Sequence, residues 1–447
     1  MSAENPEAAP APKPRRAGGR AALSTYASYI GVSLFGLGNV LLISRVLGPT
    51  GRGEVTFLMT VSGITGYLFN LSVQEANANL SGLKEHLRPA LGTNSVVLSL
   101  GLGLVAAAAA VLALAYAPFL SEDVPASDLA IALVAIPAVT LQTYFVYLAR
   151  GSSKFTIANV AMLVAPVFSF FANAVLAVAG VLSVTSSLAC WSVGLVLSAV
   201  TLIVDHKRRV GFAAVDRELG REAVVFGTKS HLGGVMATGS YRMDQWILGA
   251  VAGPRELGLY SVAVAWFESL FLLPMAIGAV ARQELVTAPR HEAGRRAALL
   301  FRVTLIVTLV LAAILVIGAP FLCAGIFGES FSGSIEPLRL LAAGALGIVS
   351  AKLIGVALIA QRRPLLESAS MGSGFVVAIV LYLILIPSDA AVGAAIASSI
   401  AYSVAGIAAA AFLVKALDVP VRLLVPRPDD VRALARLLGR GASALRR

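Results

Sequence analysis

Seven ionisable residues stand inside long apolar stretches of this chain: Lys229, His231, Arg242, Asp244, Glu268, Arg302 and Lys352. Arg45 and Arg339 lie near the ends of such stretches. A charge held in hydrocarbon costs roughly 3 kcal/mol or more, so each of these positions is a functional candidate. Cations outnumber acids among them, and a cationic cavity suits an anionic cargo, because each guanidinium can grip two phosphate oxygens at once. Lys229, Arg242, Lys352, Arg302 and Arg45 are the candidate substrate ligands, and pyrophosphate-linked lipids fit that demand. Glu268, Asp244 and His231 are candidates for counter-ion or ion-coupling roles.

Each candidate has a plainer alternative. Arg302 sits close enough to a helix end to snorkel into the headgroups, and Arg45, Arg52 and Arg339 read as interfacial anchors before ligands. Arg242 and Asp244 are two residues apart, point in different directions on a helix, and so can each pair with another helix. Lys229 and Lys352 could belong to structural ion pairs. Glu268 could titrate in a proton- or sodium-coupled cycle or neutralise a buried cation. His231 could carry a proton or be a packed, hydrogen-bonded ring. No Asp/His/Glu cluster of catalytic type and no Gly-Lys-Ser/Thr phosphate loop is present, so an enzyme, an ATP-driven pump and a cofactor are not expected. Cys190 and Cys323 are the two cysteines and support neither a disulfide framework nor a metal site.

The elements that must position these residues follow from composition. The 447 residues are 58% hydrophobic and 13% charged, too few charges to cover a soluble surface of that size. Twelve spans are expected, at 22–44, 54–75, 90–117, 128–148, 155–179, 185–205, 223–251, 256–280, 298–322, 335–360, 364–387 and 390–415. Each is long enough to cross about 30 Å of hydrocarbon. The net charge of +11 does not imply nucleic acid, because the cations gather in alternate short loops and in both tails. Lys84, Arg88, Arg150, Lys154, the run Lys207–Arg209, Arg282–Arg296 and Arg362–Arg363 fall in the even loops, while Glu122, Asp123, Glu329 and Asp389 fall in the odd ones. That alternation places both termini in the cytoplasm. Residues 1–21 read as a disordered basic tail, and 416–447 as a basic tail whose stretch Pro428–Arg440 forms an amphipathic helix on the membrane surface.

The two halves repeat. Gly48-Pro49-x-x-x-Gly53 returns as Gly253-Pro254-x-x-x-Gly258, Ala117-Pro118-Phe119-Leu120 as Ala319-Pro320-Phe321-Leu322, and the turn at Ala149-Arg150 as Ala360-Gln361-Arg362-Arg363. Six spans repeated give two parallel lobes, 22–222 with its linker and 223–415, with a cavity between them suited to alternating access. The first span of each lobe is glycine-rich (Gly31, Gly36 and Gly38; Gly233, Gly234 and Gly239), for bending or for close packing.

The run Ser230-His231-Leu232-Gly233, Tyr241-Arg242-Met243-Asp244, then Gly253-Pro254-Arg255-Glu256-Leu257-Gly258-Leu259-Tyr260-Ser261-Val262-Ala263, resembles the polysaccharide-export branch of the multidrug/oligosaccharidyl-lipid/polysaccharide (MOP) exporter superfamily. Glu268 and Leu272-Leu273-Pro274 follow at the expected places. In the first lobe Ser44-Arg45-Val46-Leu47-Gly48-Pro49-x-Gly51-x-Gly53 is similar to that branch's first turn. The resemblance covers residues 22–415. It implies a V-shaped pair of six-helix bundles around a cationic cavity. It also implies a flippase for undecaprenyl-pyrophosphate-linked oligosaccharide in a bacterial cytoplasmic membrane, acting as a monomer, alone or with a polysaccharide polymerase or synthase. A cation-coupled small-molecule exporter of the same architecture and an envelope-glycan membrane enzyme such as a polymerase are the competing expectations.

Overall fold

A chain in hydrocarbon must satisfy its backbone polar groups internally, and long apolar runs can do so only as helices or closed barrels. The computed structural model describes residues 18–116, 124–272, 285, 288–427 and 429–430, and those residues form helices and turns without strands. The order is α1 (Gly18–Phe69), α2 (Val73–Leu83), α3 (Arg88–Tyr116), α4 (Ala126–Gly151), α5 (Phe155–Val178) and α6 (Val184–Arg209), then α7 (Arg217–Ser269), α8 (Arg290–Pro320), α9 (Ile335–Ala360) and α10 (Pro364–Leu417). The expected tail 1–17, the motif Ala117–Leu120, the end of the eighth span and the amphipathic helix beyond Asp430 lie outside the described residues.

Among the described residues eight helices are long and apolar enough to cross a membrane. Two of them, Ser24–Phe69 with 46 residues and Pro364–Leu417 with 54, far exceed the ~20 residues that one crossing takes. Helix α1 breaks at Gly48 (φ 66°, ψ −173°), α10 at Ala390 (φ 44°, ψ −120°) and α7, 53 residues long, at Gly253 (φ 81°, ψ 176°). Each thus divides into two limbs, at the places where the sequence separates consecutive spans. Helix α7 is not among the eight, and its charges are the reason: Lys229, His231, Arg242, Asp244, Arg255, Glu256 and Glu268 all lie on it.

The internal repeat is visible in the backbone. Gly48 and Gly253 share a conformation, positive φ with extended ψ, that is open essentially to glycine alone. The turns after α4 and α9 also match. Ser153 and Arg362 are both left-handed (φ 60° and 59°), and Lys154 N–H donates to the Ala149 carbonyl as Arg363 N–H donates to that of Leu358, each at 2.8 Å.

The lobes meet through the same motif. A Cβ added at Gly53 would collide with the carbonyl of Pro254, and one added at Gly258 would collide with that of Pro49. The second glycine of each motif therefore seats the proline peptide of the other, a reciprocal crossing that requires backbone-to-backbone approach. From it the second limb of α1 runs beside the first limb of α7, where Phe57 fits over Gly249 and Tyr67 over Gly234. Of the remaining helix glycines marked in the sequence, Gly31 receives Leu163, Gly38 receives Phe170, and Gly239 receives Phe375, while Gly36 faces open space. The largest apolar core fills the second lobe, around Leu341, Ile348 and Ile354 of α9 with Tyr382 and Ala394 of α10, and extends to Ile43, Val55 and Leu58 of α1. A smaller core in the first lobe joins Val73, Ala76 and Leu80 of α2 to Tyr144, Phe145 and Leu148 of α4.

Gly53→Ala or Gly258→Ala should overpack this crossing, where no flexible side chain can yield, and lower unfolding stability by about 3 kcal/mol or more. Gly36→Ala, with nothing near it, serves as the tolerated control in the same thermal-unfolding series on detergent-purified protein.

Candidate functional site

The break at Gly253 folds the two limbs of α7 back on one another, and this assembles the polar interior of the second lobe from residues far apart in register. Arg242 on the first limb meets Glu268 on the second, Nη1 to Oε1 3.1 Å, with the two side chains 42% and 40% exposed. The pair therefore borders open space instead of closing a core. Lys352 of α9 holds its ammonium 4.4 Å from the Tyr241 ring centre and 4.3 Å from that of Phe271, within electrostatic reach of both Glu268 and Arg242. Two π faces stabilise a cation without supplying a counter-charge. Arg242 and Lys352 thus share the Glu268 carboxylate, and Asp244 also lies within electrostatic reach of Arg242.

Asp244 is placed differently. It is buried, and its carboxylate accepts from the Tyr260 hydroxyl at 2.7 Å and from the Gln245 amide at 2.7 Å. Tyr260 and Tyr382 both bond the Ser398 hydroxyl, at 3.1 and 2.9 Å, so the two limbs of α7 and the two of α10 are tied by one chain of polar groups. Inside a low-dielectric core such a network is specific because each member loses its partner if another moves.

The other candidates bind elsewhere. Arg45, on the first limb of α1, donates to the carbonyls of Ile326 (2.7 Å) and Gly325 (3.3 Å), at the end of a short π-helical turn (Phe321–Gly325) that follows α8. Its guanidinium thereby ties one lobe to the other. Arg52 does the same from inside the crossing, donating to the Ser261 hydroxyl at 3.2 Å. Arg339 donates to the carbonyl of Val316 at 3.2 Å. His231 joins the lobes at the other end of the interface. Its Nε2 donates to the Leu68 carbonyl, which can only accept, and its Nδ1 bonds the Ser72 hydroxyl, both at 3.0 Å. Lys229 is exposed, with no hydrogen bond or ion pair among the described residues.

Arg302 points away from this cluster, to the segment that follows α10. It makes a two-pronged contact with Asp430, Nε to Oδ2 2.8 Å and Nη2 to Oδ1 2.9 Å, and also donates to the Leu423 carbonyl. Its pair is 9% and 3% exposed. Arg290 fastens the same segment through Asp418, at 3.1 Å.

The model of the family described as polysaccharide biosynthesis protein matches residues 19–281, more than half of the chain. The chain belongs to that family. A search of the curated proteins finds no match. Among solved structures, the lipid II flippase MurJ in an inward closed conformation aligns with a TM-score of 0.73 at 11% identity, over 90% of this chain and 89% of that one. An inward-facing multidrug resistance MATE family transporter of the MOP superfamily aligns at 0.66 and 15% identity, over 89% and 98%. A MOP superfamily transporter from Pyrococcus furiosus, described with a binding pocket of reversed polarity, aligns at 0.60 and 14% identity, over 89% and 95%. The protein is thus a multi-pass membrane protein with the fold of the MOP transporters and flippases, and the proteins sharing that fold are transporters, not enzymes.

Several residues that build the site were not singled out for a role in the sequence. Tyr241 and Phe271, which sandwich Lys352, look like ordinary membrane aromatics, and Tyr260, Tyr382 and Ser398 look like core. The spacing Arg242, Asp244 does predict separate partners, and both partners prove to lie on the second limb of α7.

Tyr260→Phe should strip Asp244 of its side-chain donor and lower stability by about 1–3 kcal/mol, read as a drop in the unfolding midpoint. The Arg302 guanidinium holds the Asp430 carboxyl below the usual carboxylate range, so their contact contributes fully at neutral pH and is lost only as acid takes the solution through that lowered value. Limited proteolysis should therefore leave the segment after α10 equally protected at pH 6 and 8. Asp430→Asn, which breaks a buried pair worth roughly 3–5 kcal/mol to disrupt, should open it to cleavage at both.

Proposed function

We propose that the protein is a flippase that carries a lipid-linked oligosaccharide, joined through pyrophosphate to undecaprenol, from the inner to the outer leaflet of a bacterial cytoplasmic membrane. The observation that carries this reading is the meeting of two cations, Arg242 and Lys352, at the half-exposed carboxylate of Glu268, with Asp244 held apart in its tyrosine network. Lys352, restrained by two rings and without an ion pair among the described residues, can meet a diphosphate, and Arg242 can exchange Glu268 for phosphate oxygens when cargo arrives. Membership of a polysaccharide biosynthesis family supports a glycan cargo.

In this reading the six limbs and the six whole helices other than the eleven-residue α2 each cross the membrane, both termini are cytoplasmic, and the two lobes rock about the Gly-Pro crossing to expose the cluster to one leaflet and then the other. Glu268 neutralises Arg242 while the cavity is empty. Asp244 stays within its tyrosine network, and Lys229, Arg45, Arg302 and His231 surround the pathway or brace the lobes. The protein works as a monomer, with a polysaccharide polymerase or synthase receiving the flipped unit. A small-molecule exporter for cationic drugs would need the opposite balance of charge, and a polymerase would need a cluster of acid–base residues at one membrane face.

The decisive experiment complements a chromosomal deletion with wild type, Lys352→Ala, Arg242→Ala, Lys229→Ala and Glu268→Gln at matched membrane abundance. Lys352→Ala and Arg242→Ala should cut surface glycan at least tenfold and accumulate lipid-linked intermediate in the inner leaflet. Intact glycan display with impaired drug export would instead establish the exporter. An intermediate that reaches the outer leaflet unpolymerised would establish the enzyme.

A further inference from the structure

The first lobe holds a second polar cluster, of different chemistry. Tyr29 on the first limb of α1, Tyr67 on its second limb and Tyr147 on α4 are each only partly buried. Tyr144, one turn before Tyr147, is by contrast fully enclosed and donates its hydroxyl to the Asn70 carbonyl at 2.6 Å. Tyr147 lies within electrostatic reach of Tyr29, Tyr67, Glu75 and Arg150. Arg150 donates through Nη2 to the Tyr29 hydroxyl at 3.3 Å, while its Nε is buried with no partner. Glu75, near the start of α2, donates its backbone N–H to the Ser72 carbonyl at 2.9 Å, while its side chain makes no hydrogen bond or ion pair among the described residues. The Tyr67 ring lies nearly parallel to His231, 15° apart with centres 6.2 Å away.

This set is badly matched to an acyl chain, which would desolvate a carboxylate, a guanidinium and three hydroxyls without replacing their hydrogen bonds. It is also badly matched to a diphosphate, because Glu75 offsets Arg150 and no positive charge is left over. A sugar unit is its complement. A pyranose presents apolar C–H faces that pack on aromatic rings, and an edge of hydroxyls that both donate and accept. Tyrosine combines a rigid face with a polar tip, Glu75 accepts and Arg150 donates.

We propose that Tyr29, Tyr67, Tyr147, Glu75 and Arg150 form a saccharide subsite, separate from the cationic cluster that takes the pyrophosphate; the proposal rests on the lipid-linked saccharide reading of the cargo. Helix α7 joins the two. Thr238 stands beside Tyr67, and Arg242 follows one turn later on the same face, about 6 Å along the axis. A diphosphate held at Arg242 and Lys352 thus delivers its attached sugar toward the tyrosines. Charge is read by the second lobe and glycan by the first, so both lobes must touch one molecule before it is carried.

The test is equilibrium binding to the full-length protein in lipid nanodiscs. The probes are undecaprenyl pyrophosphate and its conjugates with N-acetylglucosamine, glucose and galactose. Wild type should bind at least one conjugate about tenfold more tightly than the bare lipid. Tyr147→Ala and Glu75→Gln should erase that preference and leave bare-lipid affinity unchanged, whereas Lys352→Ala should weaken every probe alike. Glu75→Gln keeps the shape of the site, so its result stands even if Tyr147→Ala folds poorly. A preference that survives in Glu75→Gln and in folded Tyr147→Ala, or wild type that binds bare and conjugated lipid equally, would overturn the subsite and leave the cargo reading in place. Wild type that binds no probe would overturn the cargo reading itself.

Discussion

Hydrocarbon offers no water to a stranded charge or peptide group, and the arrangement of this protein follows from that scarcity. Buried cations find partners near at hand: Arg242 on Glu268, Arg302 on Asp430, Arg52 on Ser261, Lys352 between two rings. Most of these contacts join different limbs or opposite lobes. Charges that are expensive one by one therefore act as fasteners, and they decide which helices face one another. The Arg242–Glu268–Lys352 group differs in bordering open space, where a ligand can reach the two cations that share Glu268.

The apolar packing is equally specific, though it uses absence instead of charge. Where helices approach most closely the sequence removes side chains. Gly344 and Gly347 of α9 lie on the backbone of α10 near Ser399 and Tyr402, and Gly406 of α10 returns the contact to Gly347. The reciprocal seat of Gly53 and Gly258 on the prolines of the partner motif is the extreme case. Side chains large enough to fill a core elsewhere would hold the two lobes apart here.

Much of this architecture could be read from the sequence because it is local. Span length, glycine-proline punctuation and repeat spacing are properties of neighbouring residues, and the matching backbone at Gly48 and Gly253 is their direct expression. What escaped depends on distance. Asp430 reads in sequence as an acid favouring a helix start, yet it answers Arg302, 128 residues away. The short helix α2 and the left-handed pair Leu71 and Ser72 before it interrupt what the apolar pattern presents as one span to residue 75. That interruption brings Ser72 to His231 and sets Glu75 among the tyrosines. Tyrosine itself carries little signal in a membrane sequence, since core, interface and cavity all accept it. Residues 55–58 and 247–248 likewise read as ordinary span, although together they form the seam between the lobes.

The reciprocal crossing also has a bearing on how the molecule is made. Gly53 receives its partner only when Pro254 and Gly258 have been synthesised, 205 residues after it by the numbering of the two glycines. At about 5–20 residues per second, the first lobe waits roughly 10–40 s in the bilayer with the groove at Gly53 occupied by lipid or by the insertion machinery. During that interval the first lobe is held by its own packing alone, including the core of α2 and α4 and the contact of α4, α5 and α6 at Ala135, Ala165 and Leu195. The motif that lets the finished lobes touch is thus also a vacancy that the nascent protein must keep open, and the second lobe completes the first as much as it adds to it.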